Sequence, residues 1–118
     1  MAVTVKATAK HVHVSPRKAR LVTEHIRGRT VPEARTILAF TERAAAVDVE
    51  KVLRSAVANA ESNPVLHWNG DDLVIAAAYV DEGTTIKRWR ARARGRVARI
   101  KKRTCHITIE VAQKEAAE

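Results

Sequence analysis

The sequence predicts an α+β fold: about three helices packed on a small antiparallel sheet, with a long β-hairpin protruding from it. Three observations predict it. Segments in the first half carry apolar residues at helical spacing. Val- and Ile-rich runs near both ends and around residue 75 read as strands. Residues 83–103, "GTTIKRWRARARGRVARIKKR", place arginines at alternate positions around a glycine. A chain of 118 residues suits one domain with one core, so residues 1–118 are read as a single domain with a basic hairpin arm at about 84–105.

In chain order, "VTVKATAKHVHV" alternates apolar and polar residues and reads as a strand. In "SPRKARLVTEHIRG", Ser15 suits an N-cap, Pro16 suits the first helical position, and Ala19, Val22 and Ile26 fall at helical spacing before a stop at Gly28. "TVPEARTILAF" opens a second helix. Thr30 and Glu33 have capping-box spacing, and Ala34, Ile37 and Leu38 form a short stripe. The third helix is the most regular: Val49, Val52, Leu53, Ala56, Val57 and Ala60 make one continuous face, ended by Asn63 and Pro64. "VLHWNGDD" reads as a loop, "LVIAAAYVDEG" as a largely buried strand. In "TCHITIEV", Cys105, Ile107, Ile109 and Val111 alternate with His106, Thr108 and Glu110, as in a half-buried strand. The tail "AQKEAAE" is expected to fray.

The charge is concentrated. The net charge is +9, yet residues 83–103 hold ten Lys or Arg and no acid, leaving 12 basic and 13 acidic residues elsewhere. The arm thus carries the whole excess, which is the footprint of a polyanion-binding segment. On a helix, a spacing of two would scatter Arg88, Arg90, Arg92, Arg94 and Arg96 around the cylinder. On a strand it puts them on one side, with Trp89, Ala91 and Ala93 on the other. Gly95 supplies the turn, and the runs before and after it become the two strands of one hairpin. At about 3.3 Å per residue the arm would reach on the order of 30 Å. It has almost no core of its own, and a charged ribbon of this kind is stable only when a polyanion surrounds it. Arginine suits bidentate phosphate contacts, and Trp89 suits stacking on a base or packing against a groove wall. The competing reading is a solvated face or a localisation signal. A solvated face normally mixes both signs, and this run has no acid.

Several patterns resemble one family. "VDEG", then Arg92-Ala93, Gly95-Arg96, and later "HITIEV", are similar to the C-terminal segment of the large-subunit ribosomal protein twenty-two family, bacterial type. "SPRKARLV", "IRG" and "KVLRSAVANAE" match it too. The resemblance covers nearly the whole chain. It implies a compact α+β domain on the surface of the large ribosomal subunit and a hairpin running along the nascent-peptide exit tunnel, held by several domains of large-subunit rRNA. It also implies neighbouring large-subunit proteins and the nascent polypeptide as partners. Arg94, Gly95 and Arg96 match the hairpin tip, and Trp89 is placed with them as a tunnel-facing residue. Ala91 stands where many relatives have proline, Cys105 where they have serine, and Trp89 where smaller or unbranched apolar residues are common.

The expected rRNA-contacting residues are Arg17, Lys18 and Arg20 on the first turns of the first helix, and Lys87, Arg88, Arg90, Arg92, Arg94, Arg96, Arg99, Lys101, Lys102 and Arg103 on the arm. Cations in a first helical turn do not favour the helix dipole, which suggests a second use for the first three. No catalytic set, metal site or cofactor is expected. His11 and His13 share a strand face, but no third ligand is near. Cys105 reads as a small buried residue. Asp71-Asp72 and Asp81-Glu82 read as turn markers or as charge relief at the hairpin base. A lone cysteine, the absence of a signal-like start and the absence of an apolar run of roughly 18 residues point to the cytoplasm, with no membrane partner. The alternative class is a DNA-architectural protein gripping duplex with basic arms. Those arms carry an apolar wedge at the tip, whereas this tip is Arg-Gly-Arg. An RNA-modifying enzyme is disfavoured by the missing catalytic set.

Overall fold

The computed structural model describes residues 4–63, 66 and 68–113. Strand β1 (Val5–Val12) leads into helices α1 (Pro16–Ile26), α2 (Val31–Ala39) and α3 (Ala45–Ser62). Strands β2 (Leu73–Glu82), β3 (Ile86–Ala91), β4 (Val97–Lys102) and β5 (Cys105–Gln113) follow. The strands form two antiparallel sheets, β1-β5-β2 in the domain and β3-β4 in the arm. The α+β expectation therefore holds.

The helices cover one face of the three-stranded sheet, α3 lying on β1 and β5 and α1 on β2. The alternation in β5 explains why. Cys105, Ile107, Ile109 and Val111 are fully buried, and every member of the α3 stripe from Val49 to Ala60 is buried in the same core. The many alanines let α3 approach closely. The opposite sheet face is polar, with the Thr8 and Thr108 hydroxyls 3.1 Å apart.

Local signals act much as their chemistry dictates. The Thr30 side chain caps α2 by accepting from the Glu33 N–H. Ser15 sits at the N-cap of α1 but its hydroxyl makes no capping bond. Gly28 follows α1 with φ +75°. The loop before β2 contains a short 3-10 turn, Gly70–Asp72, in which Asn69 Oδ1 accepts from the Asp71 N–H. Trp68 beside it is buried in the core, which loop composition did not suggest. The third helix ends at Ser62, while Pro64 lies outside the described residues. Strand β5 runs on to Gln113, with Ala112 buried, so the first two residues of the supposed frayed tail are paired to β2. The rest of that tail, 114–118, lies outside the described residues, as do residues 1–3.

Two departures matter for the site. His11 adopts φ 56° in an irregularity of the β1–β5 pairing between Ala9 and Val12. Its backbone N–H donates to His106 Nδ1 at 3.1 Å, and the two rings meet edge to face. The expected His11–His13 face does not exist, because a left-handed residue breaks the two-residue period and β1 ends at Val12. The second departure is at the root of the arm. Glu82 pairs with Cys105 and Ile86 with Lys102, so residues 83–85 face only 103 and 104. One extra residue on one strand is a bulge, which bends and twists a ribbon. The Gly83 N–H donates to Thr104 O at 3.0 Å, and the buried Thr104 hydroxyl donates to Thr84 O at 2.6 Å.

Candidate nucleic-acid interface

The arm is a two-stranded ribbon standing clear of the domain. The molecule measures 64 × 28 × 21 Å, and its radius of gyration of 17.4 Å exceeds the roughly 13 Å of a compact chain of this length. No core residue lies between Val80 and Cys105.

Residues directly opposite in an antiparallel pair point to the same face. One face of the ribbon therefore carries Ile86, Arg88 and Arg90 against Lys102, Ile100 and Ala98. The other carries Lys87, Trp89 and Ala91 against Lys101, Arg99 and Val97. Both faces are cationic. This corrects the expectation that five arginines line one side with Trp89, Ala91 and Ala93 opposite. Only Arg88 and Arg90 share a strand face, because β3 ends at Ala91 and the turn begins at Arg92. Alternation is a property of the extended chain and stops where the chain bends.

The turn spans Arg92 to Arg96. The Arg92 N–H donates to Arg96 O at 2.6 Å, and Arg94 and Gly95 both take positive φ, 61° and 71°. Gly95 thus serves the turn as its chemistry suggests, while Arg94 holds a left-handed conformation that costs a side-chain-bearing residue about 1–2 kcal/mol. Arg92, Arg94 and Arg96 are exposed on this turn, outside the strands. Trp89 lies below the turn on β3, where the Arg99 guanidinium stands 5.1 Å from its ring centroid.

The electrostatics are one-sided. Lys87 directly faces Lys101, a like-charge pair that destabilises a ribbon. Among the described residues the one ion pair is Glu50–Arg54 on α3, far along the chain from the arm. The arm's cations have no acidic partners there.

At the root, an open cleft is lined by Ser15, Pro16, Arg17, Arg20, Glu82 and Arg103. The fold therefore gathers Arg17 and Arg20 with Arg103, residues more than eighty positions apart. Arg20 has a structural task as well, since its Nε and Nη2 both donate to Val80 O, at 3.2 and 3.0 Å. Lys18 lines an adjoining cleft with His13 and Arg43. Sequence reasoning missed Arg43, which nothing local marks. It also missed Arg27, whose Nε donates to Ala78 O at 2.7 Å. The spacing of Arg20, on α1, and Arg27, at its C-cap, seven residues apart and so about two helical turns, was the available signal.

Burial pushes the Cys105 thiol up, with Asp48 adding to the effect and Arg20 opposing it. A buried thiol of this kind is a packing group and a poor nucleophile. No cluster of three metal-ligating side chains occurs among the described residues, and no described helix is long and apolar enough to cross a membrane.

The fold and the arm define a class of protein: a compact α+β domain bearing a bare cationic ribbon. The chain belongs to the ribosomal protein L22p/L17e family, whose sequence profile matches residues 7–112. It is 54% identical over 110 residues to the large ribosomal subunit protein uL22 of Oceanobacillus iheyensis, covering 93% of this chain and 96% of that one. It is also 54% identical over 115 residues to the protein of that name from Bifidobacterium longum, covering 95% and 97%. The protein is a structural constituent of the large ribosomal subunit and not an enzyme, and in bacteria its place is the cytoplasm.

Proposed function

We propose that the arm is an rRNA-binding device that supports large-subunit assembly, and that its turn lines the nascent-peptide exit tunnel. Arg88, Arg90 and Lys102 on one face and Lys87, Arg99 and Lys101 on the other contact rRNA phosphates, and Arg92, Arg94 and Arg96 do so around the turn. Arg17, Lys18, Arg20 and Arg103 extend the contact to the root of the arm. Gly95, with Arg94 and Arg96, forms the part nearest the nascent chain. Adjacent ribosomal proteins pack against the domain. One observation carries this reading: cations cover both faces of a ribbon that has no core and, among the described residues, no acidic partner. Such a ribbon is favoured where negative charge surrounds it on all sides, as rRNA does within a subunit.

The test is a salt titration of the purified protein on large-subunit rRNA. If the arm neutralises about six to ten phosphates, affinity falls roughly 10³-fold or more between about 50 and 200 mM salt, by analogy with duplex DNA. A shallow slope would mean that the charge is merely solvated. Retention on large subunits through a high-salt wash separates this reading from a DNA-architectural one.

A further inference from the structure

We infer that Trp89 is a nucleobase-stacking platform, taking an unpaired RNA base on the indole face opposite the Arg99 guanidinium. The inference rests on the RNA-binding reading above and adds a base contact to its phosphate contacts. Trp89 sits mid-strand in β3, directly across from Arg99, and its ring lies 5.1 Å from the guanidinium carbon. The guanidinium occupies one face of the ring. Yet Trp89 remains 63% exposed, so a large aromatic surface is displayed beyond the part that Arg99 covers.

Its neighbours on that face define what fits. Toward the turn stand Ala91 and Val97, too small to fold over the indole. Toward the domain stand Lys87 and Lys101, opposite one another. A ligand that matches this surface is flat where it meets the ring and anionic where it meets the lysines. A nucleotide has both properties in one unit: the base stacks, and its phosphate lies toward Lys87 and Lys101. An aliphatic peptide side chain could cover the indole but would leave the lysine pair unmatched. Every base has a π-face, so the subsite tolerates any base and requires only that it be unpaired.

The experiment compares two polyanions on the full-length protein, an unstructured RNA of roughly ten nucleotides and inorganic polyphosphate of equal charge. Trp89→Leu keeps the charge and an apolar side chain, and Trp89→Phe keeps a ring. Trp89→Leu is expected to weaken RNA binding roughly ten-fold to a hundred-fold, with polyphosphate binding and the salt slope unchanged. Trp89→Phe recovers part of the loss. RNA should quench indole fluorescence in the unsubstituted protein but not in Trp89→Leu, whose remaining indole, Trp68, is buried. Equal weakening for both ligands would mean that Trp89 only supports the shape of the arm, and would overturn the inference. Unchanged RNA affinity in Trp89→Leu, with a steep salt slope retained, overturns stacking while the RNA-binding reading stands. The same unchanged affinity with altered passage of nascent chains would assign the ring to the tunnel lumen instead. A shallow slope in the unsubstituted protein would remove both readings together.

Discussion

Gly83 has no room for a side chain. A Cβ there would lie 2.6 Å from Thr104 Oγ1 and 3.2 Å from both the Thr104 carbonyl carbon and His106 Cε1. The Thr104 hydroxyl cannot simply swing away, because it is bonded to Thr84 O. Gly83→Ala is therefore expected to lower stability by about 1–3 kcal/mol, the range for disrupting a buried hydrogen bond. Adding Thr104→Ala should cost less than the sum of the two changes, which a double-mutant melting cycle measures. Gly95 is the opposite case. A Cβ there would meet nothing within 4 Å, yet φ is +71°. Gly95→Val should then loosen the turn by at least about 1–2 kcal/mol through backbone strain alone. Ala91→Val, at the last β3 position opposite Val97, should be tolerated, since β-branched residues suit strands. Amide exchange at Arg92, whose N–H closes the turn, reads the difference. Equal protection in both variants would place the turn elsewhere.

At the scale of elements, the exposed edge of β2 is closed by α1 and the segment after it. Arg20 donates to Val80 O, Arg27 to Ala78 O, Arg29 O accepts from the Ile75 N–H, and Thr30 bridges Val74. An uncovered edge strand invites pairing with another chain, and these contacts occupy it at Val74, Ile75, Ala78 and Val80. Arg27→Met keeps much of the aliphatic stem but removes the donor. It should cost about 1–2 kcal/mol in thermal melting and raise the tendency to associate, measured by light scattering at high concentration. No change in either would mean that water satisfies Ala78 O equally well. This task for α1 also explains why its arginines need not all face a nucleic acid.

For the whole molecule, core and arm separate cleanly. The buried cluster contains nothing between Val80 and Cys105. Deleting Lys87 through Lys102 and closing the ribbon with a short glycine-containing turn should leave a cooperative melt close to that of the full chain. The radius of gyration by small-angle scattering should fall from 17.4 Å toward about 13 Å. Loss of the melt would show that the arm packs on the domain. A cationic ribbon can be lengthened, bent or recharged without disturbing the fold, because it contributes nothing to the core.

Periodicity by itself determined the helices and most of the strands. The α3 stripe, the β5 alternation and the Thr30 cap are short-range patterns, and burial of one face rewards them wherever the element docks. The location of the arm was also legible, because ten cations without an acid stand out against a nearly neutral remainder. What alternation could not reveal was where the strand stops. Arg92 to Arg96 look like a continuation of Arg88 and Arg90, but the closing hydrogen bond and two left-handed residues turn the chain there. Which cations of β4 share a face with those of β3 depends on the register Ile86↔Lys102, which follows the bulge at Gly83–Thr85. The grouping of Arg17, Arg20 and Arg103, the partnership of His11 with His106 and the covering of Trp89 by Arg99 are likewise contacts between distant positions. Such contacts depend on pairing register and helix docking, which are properties of the assembled chain that no local window of sequence contains.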